Sequence, residues 1–308
     1  MPEIEKSMLI TKKPVTSEVF FRPAFSFPNA RSAFKALLQE LLLPGDAVLL
    51  PSYIGWSRNE GSGVFDPIQE TGAEFSFYRM TRDLTIDLQD LSFKLTQKKP
   101  KLLVLIHYFG YPDPNLVKIV KLAHDAGVYV LEDEAHALFS DWVGGVCGRL
   151  GDAVIFSLHK MLPFECGGLL VLNRSLKSLN DRLTYFKSND LPEFDWWNYD
   201  FVGIATRRRQ NALHLLDLLR PFSDRVTPLH SEIPLGVIPQ TLPVLINHTS
   251  RDAVYFALND LGYGVVSLYH TLISQIDAAE FPDSCWLSHR IQIGKSTRLN
   301  SSHRIRSR

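Results

Sequence analysis

The sequence is poor in the features that would send a protein to a membrane, a nucleic acid or an oxidising compartment. No apolar run approaches the roughly 18–20 residues needed to span a bilayer. The N-terminus, with Glu3, Glu5 and Lys6 among its first residues, lacks the basic-then-apolar pattern of a secretory leader. Three cysteines, Cys147, Cys166 and Cys285, have no metal-ligand spacing and cannot all pair, so a reduced, cytoplasmic setting is expected. Excess charge of one sign is also missing: 33 basic residues against 33 acidic ones give no electrostatic case for nucleic acid or an anionic membrane. The balance is uneven, because five basic residues and no acidic one lie in Lys295–Arg308, leaving 28 against 33 elsewhere. No internal repeat is present. The 308 residues, 45% hydrophobic and 21% charged, suffice for a sizeable core in one large or two modest domains.

What is present is a succession of short, continuous apolar runs separated by helical patterns. Arg31–Leu43 has apolar residues at helical spacing, with Asn29 as a plausible N-cap and Pro44-Gly45 as a stop. Apolar runs follow at Ala47–Pro51, Glu74–Tyr78, Leu102–His107, Val128–Leu131, Ala153–Phe156 and Leu169–Leu172, with an amphipathic helix over Asn115–Ala126. Continuous rather than alternating strands, interleaved with helices, argue for a parallel sheet covered on both faces. After about Pro192 an aromatic connector (Phe194, Trp196, Trp197, Tyr199) leads to a helix over Arg207–Leu219. A strand at Gln240–Ile246, a helix at Arg251–Leu261 and a strand at Gly264–Leu268 then predict a smaller α+β unit. These divide the chain into a large domain over 1–200, a small one over 201–294 and a tail over 295–308. The tail has no apolar periodicity and resembles a translated sequencing-adapter string. It is expected to be non-native, with the small domain cut short before it.

Ligands bind at the carboxyl ends of the strands in such sheets, where His107, Asp133 and Ser157 are predicted to sit. Two of these strand ends, in Val128–His136 and Ile155–Met161, deliver Asp133 and Lys160, which lie 27 residues apart, to one sheet edge. An acid and a lysine placed together suit a pyridoxal phosphate site, where the carboxylate keeps the pyridine nitrogen protonated and the lysine bonds the cofactor. Lys160 following a buried strand is expected to be desolvated, which would favour the free amine; the plain reading is a loop lysine. For Asp133 the plain reading is a strand-end carboxylate capping the next turn. Glu132 and Glu134 point to other faces and read as structural. Phosphate would bind at the helix opened by Arg31-Ser32, with the Ser157 hydroxyl, and either Tyr53 or Trp56 could stack on the ring. His107 and His270 are single histidines that, taken alone, fit a core or surface role as well as a substrate contact.

Ser32-Ala33 at a helix start, Pro44-Gly-Asp46, Pro51-Ser-Tyr53, Glu132-Asp-Glu-Ala-His136, Leu150-Gly-Asp152, Phe156-Ser157 and Gly167-Gly168 together resemble the DegT/DnrJ/EryC1/StrS aminotransferases. The likeness runs over roughly residues 25–294 and is densest between 100 and 173. It implies a type I pyridoxal phosphate fold: an α/β domain around a mostly parallel, seven-stranded sheet, plus a smaller C-terminal α+β domain. It also implies roles. Asp133 would pair with the pyridine nitrogen, His136 with the ring hydroxyl, and Ser157 and the helix at Arg31-Ser32 with the phosphate; Lys160 would hold the cofactor. Such enzymes are typically homodimers, and most transfer an amino group from glutamate to a nucleotide-linked keto-sugar in polysaccharide or secondary-metabolite biosynthesis.

The chain departs from the family pattern in three places. Lys160 follows Phe156 by four residues where six is usual, although its seven-residue interval to Gly167 is typical. A shortened turn keeps Lys160 catalytic; the other alignment brings His159 to the ring, as in members that dehydrate sugars. The Gly-x-Asn-x-Arg-Met segment is absent, with Trp196–Gly203 in its place, and Ala30 replaces a usual glycine. A non-catalytic regulatory protein on the same fold is the third reading.

Overall fold

The structure is a computed structural model that describes residues 23–173, 199–266 and 268–294, together with Leu183. The aromatic connector, apart from Tyr199, and the 295–308 tail lie outside the described residues.

In chain order the first unit contains β1 (Ala24–Phe27), α1 (Ala30–Leu41), β2 (Ala47–Pro51), α2 (Phe65–Thr71), β3 (Glu74–Tyr78), α3 (Leu88–Lys98) and β4 (Leu102–Ile106). It continues with α4 (Leu116–Asp125), β5 (Tyr129–Asp133), α5 (Leu138–Trp142), β6 (Ala153–Ser157), α6 (Leu158–Met161) and β7 (Gly168–Leu172). The seven strands form one sheet in the order β1-β7-β6-β5-β4-β2-β3. The pairs from β3 through β6 are parallel, and β7 and β1 close the edge antiparallel. The continuous runs are explained by burial on both faces. Leu103, Leu105 and Val130 pack towards α3 and α4, whereas Leu102, Val104 and Leu131 pack towards α1. Burying that apolar surface is the main term that holds the layers together.

Local chemistry sets the helix limits. Asn29 caps α1, its Oδ1 accepting from the Ser32 backbone N–H at 2.8 Å. In α4 the stripe Leu116, Ile119, Val120 and Ala123 is buried, as the helical spacing predicts.

The second unit has α7 (Phe201–Leu219), β8 (Val226–Pro228), β9 (Leu242–Ile246), α8 (Arg251–Asp260), α9 (Pro282–Ser288) and β10 (Ile291–Gly294), with its three strands antiparallel in the order β10-β9-β8. Helix α7 starts six residues before the predicted Arg207, because the Asp200 carboxylate caps it through the Gly203 N–H at 2.8 Å. It bridges the two units: Ile204 and Ala205 pack with Phe139 and Phe156, and Ala212 and Leu216 join the core beneath α3 and α4. Among the described residues of the predicted strand at Gly264–Leu268 only Val266 pairs, with Ile293, because Gly262 and Gly264 both have positive φ (83° and 58°) and turn the chain. Residues 271–273 instead run along the loop after β2: Gly55 pairs with Leu272, Trp56 N–H donates to Thr271 O at 2.9 Å and Ile273 N–H to Ile54 O at 3.0 Å.

Two contacts are open to direct test. A Cβ added at Gly168 would lie 2.1 Å from the Asn29 carbonyl carbon, and backbone cannot yield to it. Gly168→Ala is expected to lower stability by about 1–3 kcal/mol, read as a fall in Tm. His230, stacked on Tyr111 at 4.0 Å, has its pKa lowered by burial from 6.5 to about 4. The native state therefore refuses a proton that the unfolded chain accepts, so stability is whole above pH 6.5 and falls as pH drops towards about 4. His230→Phe should remove about 2 kcal/mol of that acid-side loss, measured by urea unfolding at pH 7 and pH 4.5.

Candidate active site

Strand β5 runs Tyr-Val-Leu-Glu-Asp, and the pleat sends its last two side chains to opposite faces. Asp133 follows Leu131 to the α1 side and is 5% exposed. Its Oδ1 accepts the Ala135 N–H at 2.9 Å. Burial raises its carboxyl pKa, opposed in part by that hydrogen bond and then by the positive charges of Lys160 and His107. Asp133 is thus a desolvated carboxylate only partly compensated within the chain, and Lys160 lies within electrostatic reach of it.

Strand β6 ends on Ser157, buried, and α6 begins at the next residue. This single turn explains the one respect in which Lys160 departs from expectation. Leu158 and Met161 take the buried side of the turn, so His159 and Lys160 point outward and are exposed, where the preceding strand predicts a desolvated lysine. The Ser157 hydroxyl lies 3.4 Å from His159 Nδ1.

The start of α1 comes to the same place through β7. Ser157 is paired with Gly168, and Gly168 abuts the backbone of Asn29 and Ala30. Gly167 N–H donates to Pro28 O at 2.8 Å, and Leu158 N–H to Gly167 O at 2.9 Å. The Ser157 hydroxyl and the amino end of a twelve-residue helix with no acidic residue in its first turn are therefore neighbours. That donor set fits a phosphate. Ser32 takes part as a cap, with its hydroxyl 3.1 Å from Asn29 Oδ1. Arg31 turns the other way, to the Glu60 carbonyl and to Asp66 at 3.7 Å.

Aromatic rings gather at the same sheet edge. Tyr53 is fully buried and stacks on Tyr269 at 5.1 Å, whereas Trp56 is 45% exposed. His136 lies parallel to Phe109 at 5.9 Å, and its Nδ1 accepts the Phe109 N–H at 3.4 Å. Tyr269 packs edge-on to His136 at 6.2 Å, and burial with the nearby Asp133 charge pushes its phenol pKa up. Sequence reasoning picked out His270, which is exposed, and missed its neighbour Tyr269. The deciding feature, a left-handed backbone at Tyr269 (φ 58°), leaves no composition signal. His107 stands apart from this group. It is 1% exposed, on the face of β5 away from Asp133, with Nε2 2.8 Å from Glu132.

A buried carboxylate held short of full compensation, a lysine beside it, and a helix start with a hydroxyl for an anion form the donor set that an anionic, pyridinium-bearing cofactor requires.

Comparison with known proteins agrees with this geometry. The chain is 30% identical over 177 residues to GDP-perosamine synthase of Escherichia coli O157:H7, covering 56% of this chain and 45% of that protein. It is 26% identical over 224 residues to dTDP-4-dehydro-2,3,6-trideoxy-D-glucose 4-aminotransferase of Saccharopolyspora spinosa, covering 65% and 56% respectively. The chain thus spans about half the length of these relatives. Among solved structures, Helicobacter pylori PseC, an aminotransferase involved in pseudoaminic acid biosynthesis, superposes with a TM-score of 0.70 at 20% identity, covering 90% of this chain and 82% of that one. E. coli GDP-4-keto-6-deoxy-D-mannose-3-dehydratase, solved with bound hydrated PLP, gives 0.71 at 16% identity, covering 89% and 84%. These two likenesses speak to the fold. The model of the DegT/DnrJ/EryC1/StrS aminotransferase family matches residues 22–207, the stretch that carries β1 to β7 and the whole of the Asp133–Ser157–Lys160 edge, and the chain belongs to that family.

Proposed function

We propose that this protein is a pyridoxal phosphate-dependent aminotransferase that moves the amino group of glutamate to the keto group of a nucleotide-linked sugar. The observation that carries the reading is the pairing of Asp133 and Lys160 at one sheet edge. The buried carboxylate there has a raised pKa, and the nearby lysine charge acts to lower it.

When bound, the cofactor would supply an electron sink for the carbon that gains or loses the amino group. The chain's own residues have definite tasks. Asp133 would keep the ring nitrogen protonated, and its desolvation would make that charge pairing strong. His136 would contact the ring hydroxyl, and either Tyr53 or Trp56 would cover the ring. Ser157 and the amino end of α1 bind the phosphate. Lys160 Nζ would be the residue that holds the cofactor covalently, and its amine would serve as the proton carrier at the reacting carbon. His159 and His270, both exposed, are the substrate-side candidates.

Support for the acceptor class comes from the relatives, GDP-perosamine synthase and dTDP-4-dehydro-2,3,6-trideoxy-D-glucose 4-aminotransferase, whose names carry nucleotide-linked sugars. The family pattern further supports a homodimer. Among the described residues no helix is long and apolar enough to cross a membrane. With Cys147, Cys166 and Cys285 all free thiols, a cytoplasmic setting is the one we infer.

The purified protein, incubated with pyridoxal phosphate, should show the visible absorption of a lysine-bound cofactor. Lys160→Ala should abolish that band while leaving the circular dichroism unchanged; a wild-type protein that binds no pyridoxal phosphate refutes the reading. Asp133→Asn should lower turnover by about two orders of magnitude or more, since neutralising one strong charge contact of this kind removes several kcal/mol. Glutamate converted to 2-oxoglutarate in step with product separates transamination from a dehydration that relies on His159. Cofactor binding without any half-reaction would identify a regulatory protein.

A further inference from the structure

Glu132 and Glu134 leave β5 on the face opposite Asp133, and both are 0% exposed. A third carboxylate on that side, Asp141 of α5, is also 0% exposed. Three buried acids so close together need compensation. Glu132 has it: His107 Nε2 lies 2.8 Å away, and the N–H groups of Gly148, Leu150 and Gly151 donate at 2.8, 3.0 and 2.7 Å. Asp141 is met by Arg149 Nε at 3.1 Å.

Glu134 has different company. The Cys147 thiol lies beside it, and His107 Nε2 lies 4.0 Å from its Oε1. One donor atom each from His107, Glu134 and Cys147 lies within 4.8 Å of the others, and all three residues are buried. The chain is shaped to allow this approach. Gly148 has φ 74°, and a Cβ there would lie 2.4 Å from Asp141 Oδ2 and 2.5 Å from Glu134 Oε1.

We propose that His107, Glu134 and Cys147 form a structural zinc site. Imidazole, carboxylate and thiolate are the donors zinc takes in tetrahedral sites, and bond lengths of about 2.0–2.3 Å place such donors about 3.3–3.8 Å apart. The cluster reaches that spacing by contracting about an ångström. All three donors are buried, so the ion is closed off from bulk solvent as structural sites are, and a bound water completes the tetrahedron. Binding replaces the proton on the Cys147 sulfur, which leaves to solvent, while His107 ligates as the neutral imidazole with its single proton on the other ring nitrogen. The site ties the ends of β4 and β5 to the loop before β6, and it lies across the sheet from Asp133 and Lys160.

The test uses the full chain, stripped with a chelator and titrated with zinc, and in parallel with cobalt(II) as a spectroscopic probe. Wild-type protein should take up about one equivalent of zinc and, with cobalt, show a sulfur-to-metal charge-transfer band. Cys147→Ser should lose the band, and Cys147→Ser and Glu134→Gln should each bind zinc at least about tenfold more weakly. Lys160→Ala should bind zinc as wild type does, which separates this site from metal held by a cofactor. Chelation should lower the Tm of wild type but not of Cys147→Ser, a comparison that stands even if Glu134→Gln folds poorly. Folded wild-type protein that binds no stoichiometric metal, or a Cys147→Ser variant that binds as tightly as wild type, overturns the proposal and leaves a buried thiol packed beside a carboxylate.

Discussion

The carboxylate of Glu132 holds the active edge of the sheet together. It is fully buried and joins three segments: the end of β4 through His107, β5 itself, and the loop at Gly148–Gly151 through three backbone N–H groups. Burial raises its pKa, but the His107 and backbone contacts outweigh that and bring it below the ordinary carboxylate value. Charge-assisted hydrogen bonds of this kind are strong when dry, and losing one partner leaves the other unpaired. The next residue along the strand is Asp133. An anchor on one face of β5 therefore fixes the height and direction of the functional carboxylate on the other.

The parallel core was readable because its physics is repetitive. Strands buried on both faces are apolar throughout, so β2 to β7 stand out from the chain as short continuous runs. Elements that depart from that regime were silent. β1 is a four-residue antiparallel edge strand, and α3 buries only Leu91 and Leu95 among mostly polar neighbours. Gly264–Leu268 carried the composition of a strand, but its flanking glycines turn the chain instead.

The candidate site was legible at the strand ends, a rule that gives His107, Asp133 and Ser157, of which His107 turns to Glu132 on the other face of β5. His136 came from the resemblance to the family. The exposure of Lys160 was not legible, because it depends on how one turn of helix divides four side chains between core and solvent. Tyr269 reaches the rings around Tyr53 only through a left-handed backbone and the pairing of residues 271–273 with the loop after β2. Cys147, His107 and Glu134 lie on three separate segments, so no spacing in the sequence announces that they meet.

The partly compensated charge of Asp133 also bears on folding. A carboxyl group whose pKa is raised in the native state weakens that state wherever the group is ionised, so at neutral pH the fold carries a penalty at Asp133. A cationic ring bound there would relieve it, and any ligand that binds only the folded chain shifts the folding equilibrium towards itself. The amount of folded protein in a cell would then track the supply of that ligand, making the Asp133 carboxylate a gauge of ligand availability.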